Sequence, residues 1–126
     1  MPNPTLPSPQ LQTLKAEFFR ALAHPVRIRL LEVLVTDGHT SVQDLQRALS
    51  IDQPIVSQQL ARLRASGIVV ARKRGAMTEY AVSDPLLKDL LRIARDILNR
   101  RLVGVQALLL ELDQPPRKRV RSRPSA

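Results

Sequence analysis

The sequence predicts a mainly α-helical fold with one small β-hairpin. In five segments of the 126 residues, apolar side chains recur at spacings of three and four, as in helices that bury one face. One segment, 68–82, instead carries β-branched residues in strand-like runs. The apolar fraction of 44% suffices for one small globular domain. We expect that domain over 11–113, between a disordered proline-rich arm at 1–10 and a disordered basic tail at 114–126.

The first two predicted helices meet at His24-Pro25. The apolar residues of the first helix are Leu11, Leu14, Phe18 and Leu22. Pro25 suits the first turn of the second helix, which should end at Asp37-Gly38. Its predicted buried residues are Ile28, Leu31, Leu34 and Val35. Off this stripe, Arg27 and Arg29 have two open roles, which are ion pairs with Glu32 or Asp44 and contacts with phosphate.

A third and a fourth helix follow, separated by a short turn at Ser50-Ile51. Ser41 is expected to cap the third helix, which buries Val42, Leu45 and Leu49. Asp52 should cap the fourth helix through its carboxylate, with Pro54 tolerated in the first turn and Gly67 ending the helix. Two short helices joined by a tight turn form the helix-turn-helix pattern.

The fourth helix has one apolar face and one face suited to reading DNA. Val56, Leu60 and Leu63 share the apolar face. The opposite face carries glutamine, serine and arginine, which can hydrogen bond to base edges in a major groove. From residue 53 to residue 78 there are five Lys or Arg and no Asp or Glu. The predicted DNA-binding residues are Gln53, Ser57, Gln58, Arg62, Arg64, Arg72, Lys73 and Arg74.

The hairpin is predicted as a two-stranded wing. Its first strand holds Ile68, Val69 and Val70, a charged turn follows over 72–75, and the return strand passes through Met77, Tyr80 and Val82. The turn cations are either simply solvated or in contact with phosphate or the minor groove. Their position beside a recognition helix favours the contact.

Ser83 or Asp84 is expected to cap the last predicted helix, which has Pro85 in its first turn and runs for about 28 residues. It is too long, and too apolar near its end, for so small a domain to cover. We expect it to pair with a second copy of the chain, together with the first helix. The predicted interface residues are Leu11, Leu14, Phe18, Leu98, Val105, Leu108 and Leu112.

Composition narrows the function further. The net charge of +9 predicts a polyanionic partner, most simply nucleic acid, and the predicted recognition helix makes double-stranded DNA the expected form. Five of these charges lie in the predicted tail, which is either a solubilising appendage or an arm that adds non-specific DNA affinity. The chain has no cysteine, so it has neither disulfides nor thiolate metal sites. It has no signal-peptide or transmembrane pattern, and we expect a cytoplasmic protein that does not bind membranes.

Three segments stand in a characteristic order along the chain, namely ALAHPVRIRLLEVL at 21–34, VSQQLARLRASGIV at 56–69 and RGAMTEYAV at 74–82. With the order of helices and hairpin, they resemble the ArsR/SmtB family of winged-helix repressors over about residues 11–112. It implies a homodimer paired through the first and last helices. Each protomer would place its recognition helix in the major groove of a palindromic operator, with the wings on flanking DNA. Such proteins typically repress transcription until an effector lowers their DNA affinity.

The chain departs from the metal-sensing members of that family. Their thiolate site needs cysteines near the third helix, where this chain reads SVQDLQ. Their other site needs carboxylate and histidine pairs on the last helix, where this chain has three aspartates and no histidine. We therefore predict no cofactor. The alternative is nickel or zinc held by His24, His39 and carboxylates such as Asp37, although His24 is expected to be a capping or packing residue.

These observations favour a sequence-specific regulator, a repressor, over an enzyme, because no nucleophile–base pair stands out. Three alternatives remain open, which are a non-specific architectural DNA-binding protein, a protein-interaction module, and a regulator that senses metal through a non-standard site or a partner protein. The glutamine-bearing recognition face argues against the first alternative, and the acid-free stretch argues against the second.

Overall fold

The structure, a computed structural model, describes residues 8–113. Within that range it contains five helices and three strands. In chain order they are α1 (Pro9–Leu22), α2 (Pro25–Asp37), β1 (Thr40–Ser41), α3 (Val42–Leu49), α4 (Gln53–Ala65), β2 (Val69–Arg74), β3 (Met77–Val82) and α5 (Leu86–Asp113). This is the winged helix-turn-helix that the sequence predicts, with α3 and α4 as the helix-turn-helix and β2–β3 as the wing. The predicted basic tail and most of the predicted arm lie outside the described residues.

The described residues form two compact units, one over 8–89 and one over 90–113. The core of the first unit comes from α2, α3 and α4. The side chains that are at most 1% exposed there include Leu30, Leu31, Leu34, Leu45, Val56, Leu60 and Leu63. Each such burial stabilises the fold by about 1.5–3 kcal/mol relative to an exposed side chain. The predicted inward face of α4 is therefore confirmed.

The predicted buried face of α2 is partly wrong. Ile28 is 38% exposed and Val35 is only half-buried, whereas Leu30 is fully buried. At about 100° per residue, the buried face is turned by roughly 60° from the predicted one. The reason is that α2 packs against α3, α4 and β3 together, and these neighbours cover the side that holds Leu30, Leu31 and Leu34.

Side-chain caps fix where the first three helices begin. Ser8 Oγ accepts from the Leu11 amide at 3.2 Å, so α1 starts two residues before the predicted position. His24 Nδ1 accepts from the Val26 amide at 3.1 Å, which confirms its predicted capping role. Ser41 Oγ accepts from the Asp44 amide at 3.2 Å, also as predicted.

The start of α4 differs from its prediction. Asp52 is the N-cap residue, but its carboxylate makes no capping hydrogen bond, so the predicted carboxylate cap is wrong. The Asp52 carbonyl accepts from the amides of Ile55 and Val56, both at 3.1 Å, and closes the first turn. Gly67 follows the helix with a φ of 75°, the left-handed conformation that suits a helix end.

The two arginines of α2 fasten neighbouring helix ends. Arg27 Nη1 donates to the Ala21 carbonyl at 3.0 Å, near the end of α1. Arg29 Nη2 donates to the Leu49 carbonyl at 2.9 Å, the last residue of α3. In the described part of the chain, neither arginine forms an ion pair with Glu32 or Asp44, which was one of the two roles that the sequence left open. The carbonyls at helix ends lack intrahelical partners, which makes them good acceptors for a guanidinium.

The sheet has three strands rather than the predicted two, in the order β1-β3-β2. Ser41 of β1 lies opposite Glu79 of β3 in the antiparallel register. In the wing, Arg74 lies opposite Met77, which leaves a two-residue turn at Gly75-Ala76. The predicted turn over 72–75 is therefore wrong, and Arg72, Lys73 and Arg74 belong to β2. Gly75 has a φ of 61° and supplies the positive dihedral that short hairpin turns require.

The helix α5 spans 28 residues, as predicted. Asp84 Oδ1 accepts from the Leu86 amide at 2.9 Å, so Asp84 is the residue that caps it. Ser83 has another role, because its hydroxyl lies 2.7 Å from the Gly67 carbonyl oxygen and 2.9 Å from that of Ile68. Among residues 8–113, no helix combines the length and the apolar character needed to cross a membrane.

The sequence pattern does not predict the burial of one polar side chain, that of Gln59. Gln59 lies on the inner face of α4, is 6% exposed, and its Oε1 has no hydrogen-bond partner among the described residues. A buried acceptor without a partner costs about 1–3 kcal/mol. We therefore expect Gln59→Leu to raise the free energy of unfolding by about 1 kcal/mol, measured by urea denaturation at fixed protein concentration. Gln58→Leu, one residue away on the exposed side, is the control, and a destabilised Gln59→Leu would contradict the expectation.

Candidate nucleic-acid interface

The exposed face of α4 carries the predicted base-reading residues. With Val56, Gln59, Leu60 and Leu63 turned into the core, the opposite side of the helix faces solvent. All five α4 residues that the sequence predicts to contact DNA are exposed, namely Gln53, Ser57, Gln58, Arg62 and Arg64. Gln58 and Arg62 are four residues apart, so they lie one above the other on the helix surface. This face offers amide, hydroxyl and guanidinium groups, the donors and acceptors that recognise base edges.

The charges of α4 are placed unevenly along the helix. Its first turn contains no acidic residue, and its last turn holds Arg62 and Arg64. Cations near a helix C-terminus are stabilised by the helix dipole, which gives both arginines a structural benefit besides any contact with DNA. Within the helix, the exposed residues are therefore neutral toward the N-terminal end and cationic toward the other end, and the exposed carboxylate of Asp52 precedes the helix.

The wing places its cations on two different sides of the hairpin. Successive residues of a strand alternate between faces, so Arg72 and Arg74 share one face and Lys73 lies on the other. Glu79 of β3 lies directly opposite Arg72. Arg72 Nε and Nη2 each lie 3.3 Å from Glu79 Oε1, and Arg74 Nη1 lies 3.9 Å from Glu79 Oε2. Two of the three predicted wing cations are thus ion-paired to one carboxylate.

Sequence reasoning missed Glu79 for a definite reason. The acid-free stretch ends at Thr78, one residue before it. A turn over 72–75 would have placed the arginines at the tip and given no reason to pair them with β3. The available signal was the hairpin register, because a two-residue turn at Gly75-Ala76 sets Arg72 opposite Glu79.

The two histidines are not gathered into a metal site. His24 Nδ1 already accepts from the Val26 amide, and His39 lies exposed in the loop after α2. Within residues 8–113, no group of three or more His, Asp or Glu side chains is arranged to hold a metal ion.

The predicted dimer residues lie on exposed apolar surface in both units. In the first unit, Leu11, Leu14 and Phe18 of α1 are 38–60% exposed, and the Phe18 and Phe19 rings meet edge to face at 5.5 Å. In the second unit, α5 exposes large apolar side chains along its length. They include Ile97, Leu98, Leu102, Val103, Val105, Leu108, Leu109, Leu110 and Leu112. Apolar surface on this scale marks an interaction site in a folded protein.

The chain is similar in sequence to known bacterial regulators. A family profile described as "Bacterial regulatory protein, arsR family" matches residues 24–70, from the cap of α2 into β2. The uncharacterized HTH-type transcriptional regulator Rv0081 of Mycobacterium tuberculosis is 41% identical over 105 residues, which cover 83% of this chain and 92% of that protein. The HTH-type transcriptional repressor SmtB of the same species is 36% identical over 84 residues, covering 64% and 62%.

Solved structures agree with the sequence comparison. The crystal structure of M. tuberculosis Rv0081 superposes with a TM-score of 0.68 at 43% identity, covering 77% of this chain and 97% of that chain. The crystal structure of NolR from Sinorhizobium fredii superposes with a TM-score of 0.63 at 27% identity, covering 74% and 95%. Fold and sequence therefore point to the same group of proteins.

Proposed function

Because the chain belongs to the ArsR family of bacterial regulatory proteins, and is thus a transcriptional regulator with a DNA-binding fold, we propose that it represses transcription by binding a palindromic operator as a homodimer. The observation that carries this proposal is the exposed face of α4. Gln58 and Arg62 stand there without an acidic neighbour on the helix, over a fully buried inner face. Such a face can enter a major groove without repelling phosphate.

The exposed apolar faces of α1 and α5 support the homodimer. An isolated chain would leave these leucines and phenylalanines in water, whereas a second copy would cover them. Two recognition helices related by a two-fold axis match a palindrome whose half-sites are one helical turn apart. Pairing two helices in this way raises operator affinity above that of either helix alone.

Selection from a randomised DNA library tests the proposed function. Full-length protein is incubated with random duplexes, bound DNA is amplified over several rounds, and the enriched sequence is compared with a scrambled duplex of equal composition. We expect an inverted repeat, and a preference for it of at least about 10³-fold at physiological salt. No enrichment, with a steep salt dependence on every duplex, would instead support the architectural alternative.

We propose that release from DNA does not depend on the metal sites familiar in this family. The chain lacks cysteine, and among residues 8–113 no group of three or more His, Asp or Glu side chains is arranged to hold a metal ion. Zinc, nickel and cobalt, titrated separately against free protein and against its DNA complex, are expected to bind weakly and to release little DNA. Magnesium serves as the control ion. Stoichiometric submicromolar binding that disappears in the His24→Ala, His39→Ala double variant would contradict this.

A further inference from the structure

Glu79 is more enclosed than the two arginines that it pairs with. Its side chain is 14% exposed, whereas those of Arg72 and Arg74 are 50% and 76% exposed. Each carboxylate oxygen faces a different arginine, with Oε1 toward Arg72 and Oε2 toward Arg74. The enclosed carboxylate therefore lies within ion-pair distance of both guanidinium groups, which themselves stay largely open to solvent and to a ligand.

The position of Glu79 in the sheet connects the wing with the helix-turn-helix. It belongs to β3, the central strand, with Arg72 opposite on β2 and Ser41 opposite on β1. Ser41 is the residue that caps α3, the first helix of the helix-turn-helix. Residues directly opposite one another in neighbouring strands share a face of the sheet. Glu79 thus holds the wing arginines at a fixed point relative to the start of that motif.

The ion pairs affect random and specific DNA in different ways. Binding to random DNA depends on the number of phosphates that cations neutralise. A carboxylate beside two of the three wing cations repels phosphate and lowers that affinity. On a matched operator, however, an arginine that the ion pair with Glu79 already orders would lose less side-chain entropy on binding. This smaller entropy loss offsets the repulsion between Glu79 and phosphate only on the operator, where the recognition helix fixes the position of the wing along the DNA.

We propose that Glu79 is a specificity-determining residue, which holds Arg72 and Arg74 in position for operator DNA and weakens their binding to phosphates elsewhere. This inference rests on the proposed function, since it assumes that the wing contacts DNA. Glu79 itself makes no base contact in this account. It acts through the two arginines as a positioning residue.

The Glu79→Gln variant tests this role with the selected duplex and its scrambled counterpart as probes. We expect affinity for the scrambled duplex to rise about 3–10-fold, and the slope of log affinity against log salt to steepen by about one. Affinity for the selected duplex should change less than about twofold, so that the specificity ratio falls about 3–10-fold. In the triple variant Arg72→Gln, Arg74→Gln, Glu79→Gln, the gain on scrambled DNA should disappear.

Glu32→Gln is the matched control, because it removes the same charge from an exposed position on α2. If Glu79→Gln and Glu32→Gln raise both affinities equally, Glu79 contributes only net charge and the proposal is overturned. If Glu79→Gln loses affinity for both duplexes with a lower unfolding midpoint, and Glu79→Asp restores both, the residue is merely structural and the proposal is again overturned. A wild type without preference for any duplex would refute the proposed function itself. A wild type that discriminates, beside a Glu79→Gln variant that discriminates equally well, would refute the role of Glu79 alone.

Discussion

Replacing both Leu98 and Leu108 with aspartate is expected to give a monomer and to lower operator affinity by about 10²–10⁴-fold, the gain that linking two binding sites provides. Both leucines lie on the apolar side of α5, where they are 53% and 60% exposed in the single chain. In the proposed dimer they are covered, and an unpaired carboxylate in an apolar contact is strongly unfavourable. Sedimentation velocity at micromolar concentration measures the oligomeric state, and titration of the selected duplex measures affinity.

The same helix offers a matched control. Val103 and Leu110 are each 65% exposed, and at about 100° per residue they lie well over 90° around α5 from Leu98 and Leu108. The Val103→Asp, Leu110→Asp variant carries the same added charge and should remain a dimer that binds the operator. Loss of the dimer in both variants alike would show that the interface does not follow the predicted face. A wild type that sediments as a monomer would refute the dimer altogether.

Changing Gln58 to alanine is expected to weaken binding to the selected duplex by about 1–3 kcal/mol and to leave binding to the scrambled duplex nearly unchanged. The side chain is exposed on α4 opposite Leu60, and an amide can pair with an adenine through two hydrogen bonds. A neutral side chain contributes little to phosphate binding, so its removal should not change the affinity for the scrambled duplex.

Competition titrations with both duplexes at one salt concentration measure this difference. Gln12→Ala, which removes an exposed amide from α1, is the control and should bind both duplexes as the wild type does. Equal losses on both duplexes for Gln58→Ala would show that another side of α4 faces the groove.

The order of elements could be predicted because each carries its own local signal. Serine and histidine caps, prolines in first turns and glycines after helices act over a few residues, and they place α1 to α4 within about two residues. The error on the buried face of α2 arises because elements distant in sequence decide which face is covered. Ile28 satisfies the helical period of α2 as well as Leu30 does, and only the packing of α2 against α3, α4 and β3 selects Leu30.

In the candidate DNA-binding site too, some features follow from local sequence and others depend on cross-strand neighbours. Exposure of Gln58 and Arg62 follows from burial of the opposite side of one helix, so it could be predicted from spacing. The ion pairs of Glu79 depend on which residues form the hairpin turn, and a shift of the turn changes every cross-strand neighbour. Nothing in the sequence predicts that Gln59 is buried with its Oε1 unpaired. A glutamine at that spacing would be assigned to the solvent-exposed side of the helix rather than to its apolar face.

The hydrogen bonds that Arg27 and Arg29 donate to helix ends bear on how a genetic screen of this regulator should be read. Colonies selected for loss of repression would contain substitutions at these arginines alongside substitutions at Gln58 and Arg62, and all four would resemble DNA-contact residues. Arg27 and Arg29 hold helices together through the Ala21 and Leu49 carbonyls, so variants at these arginines should be less stable and less abundant in the cell. Immunoblots of the mutant strains would separate the two groups, because a variant at Gln58 should accumulate to the normal level and still fail to repress.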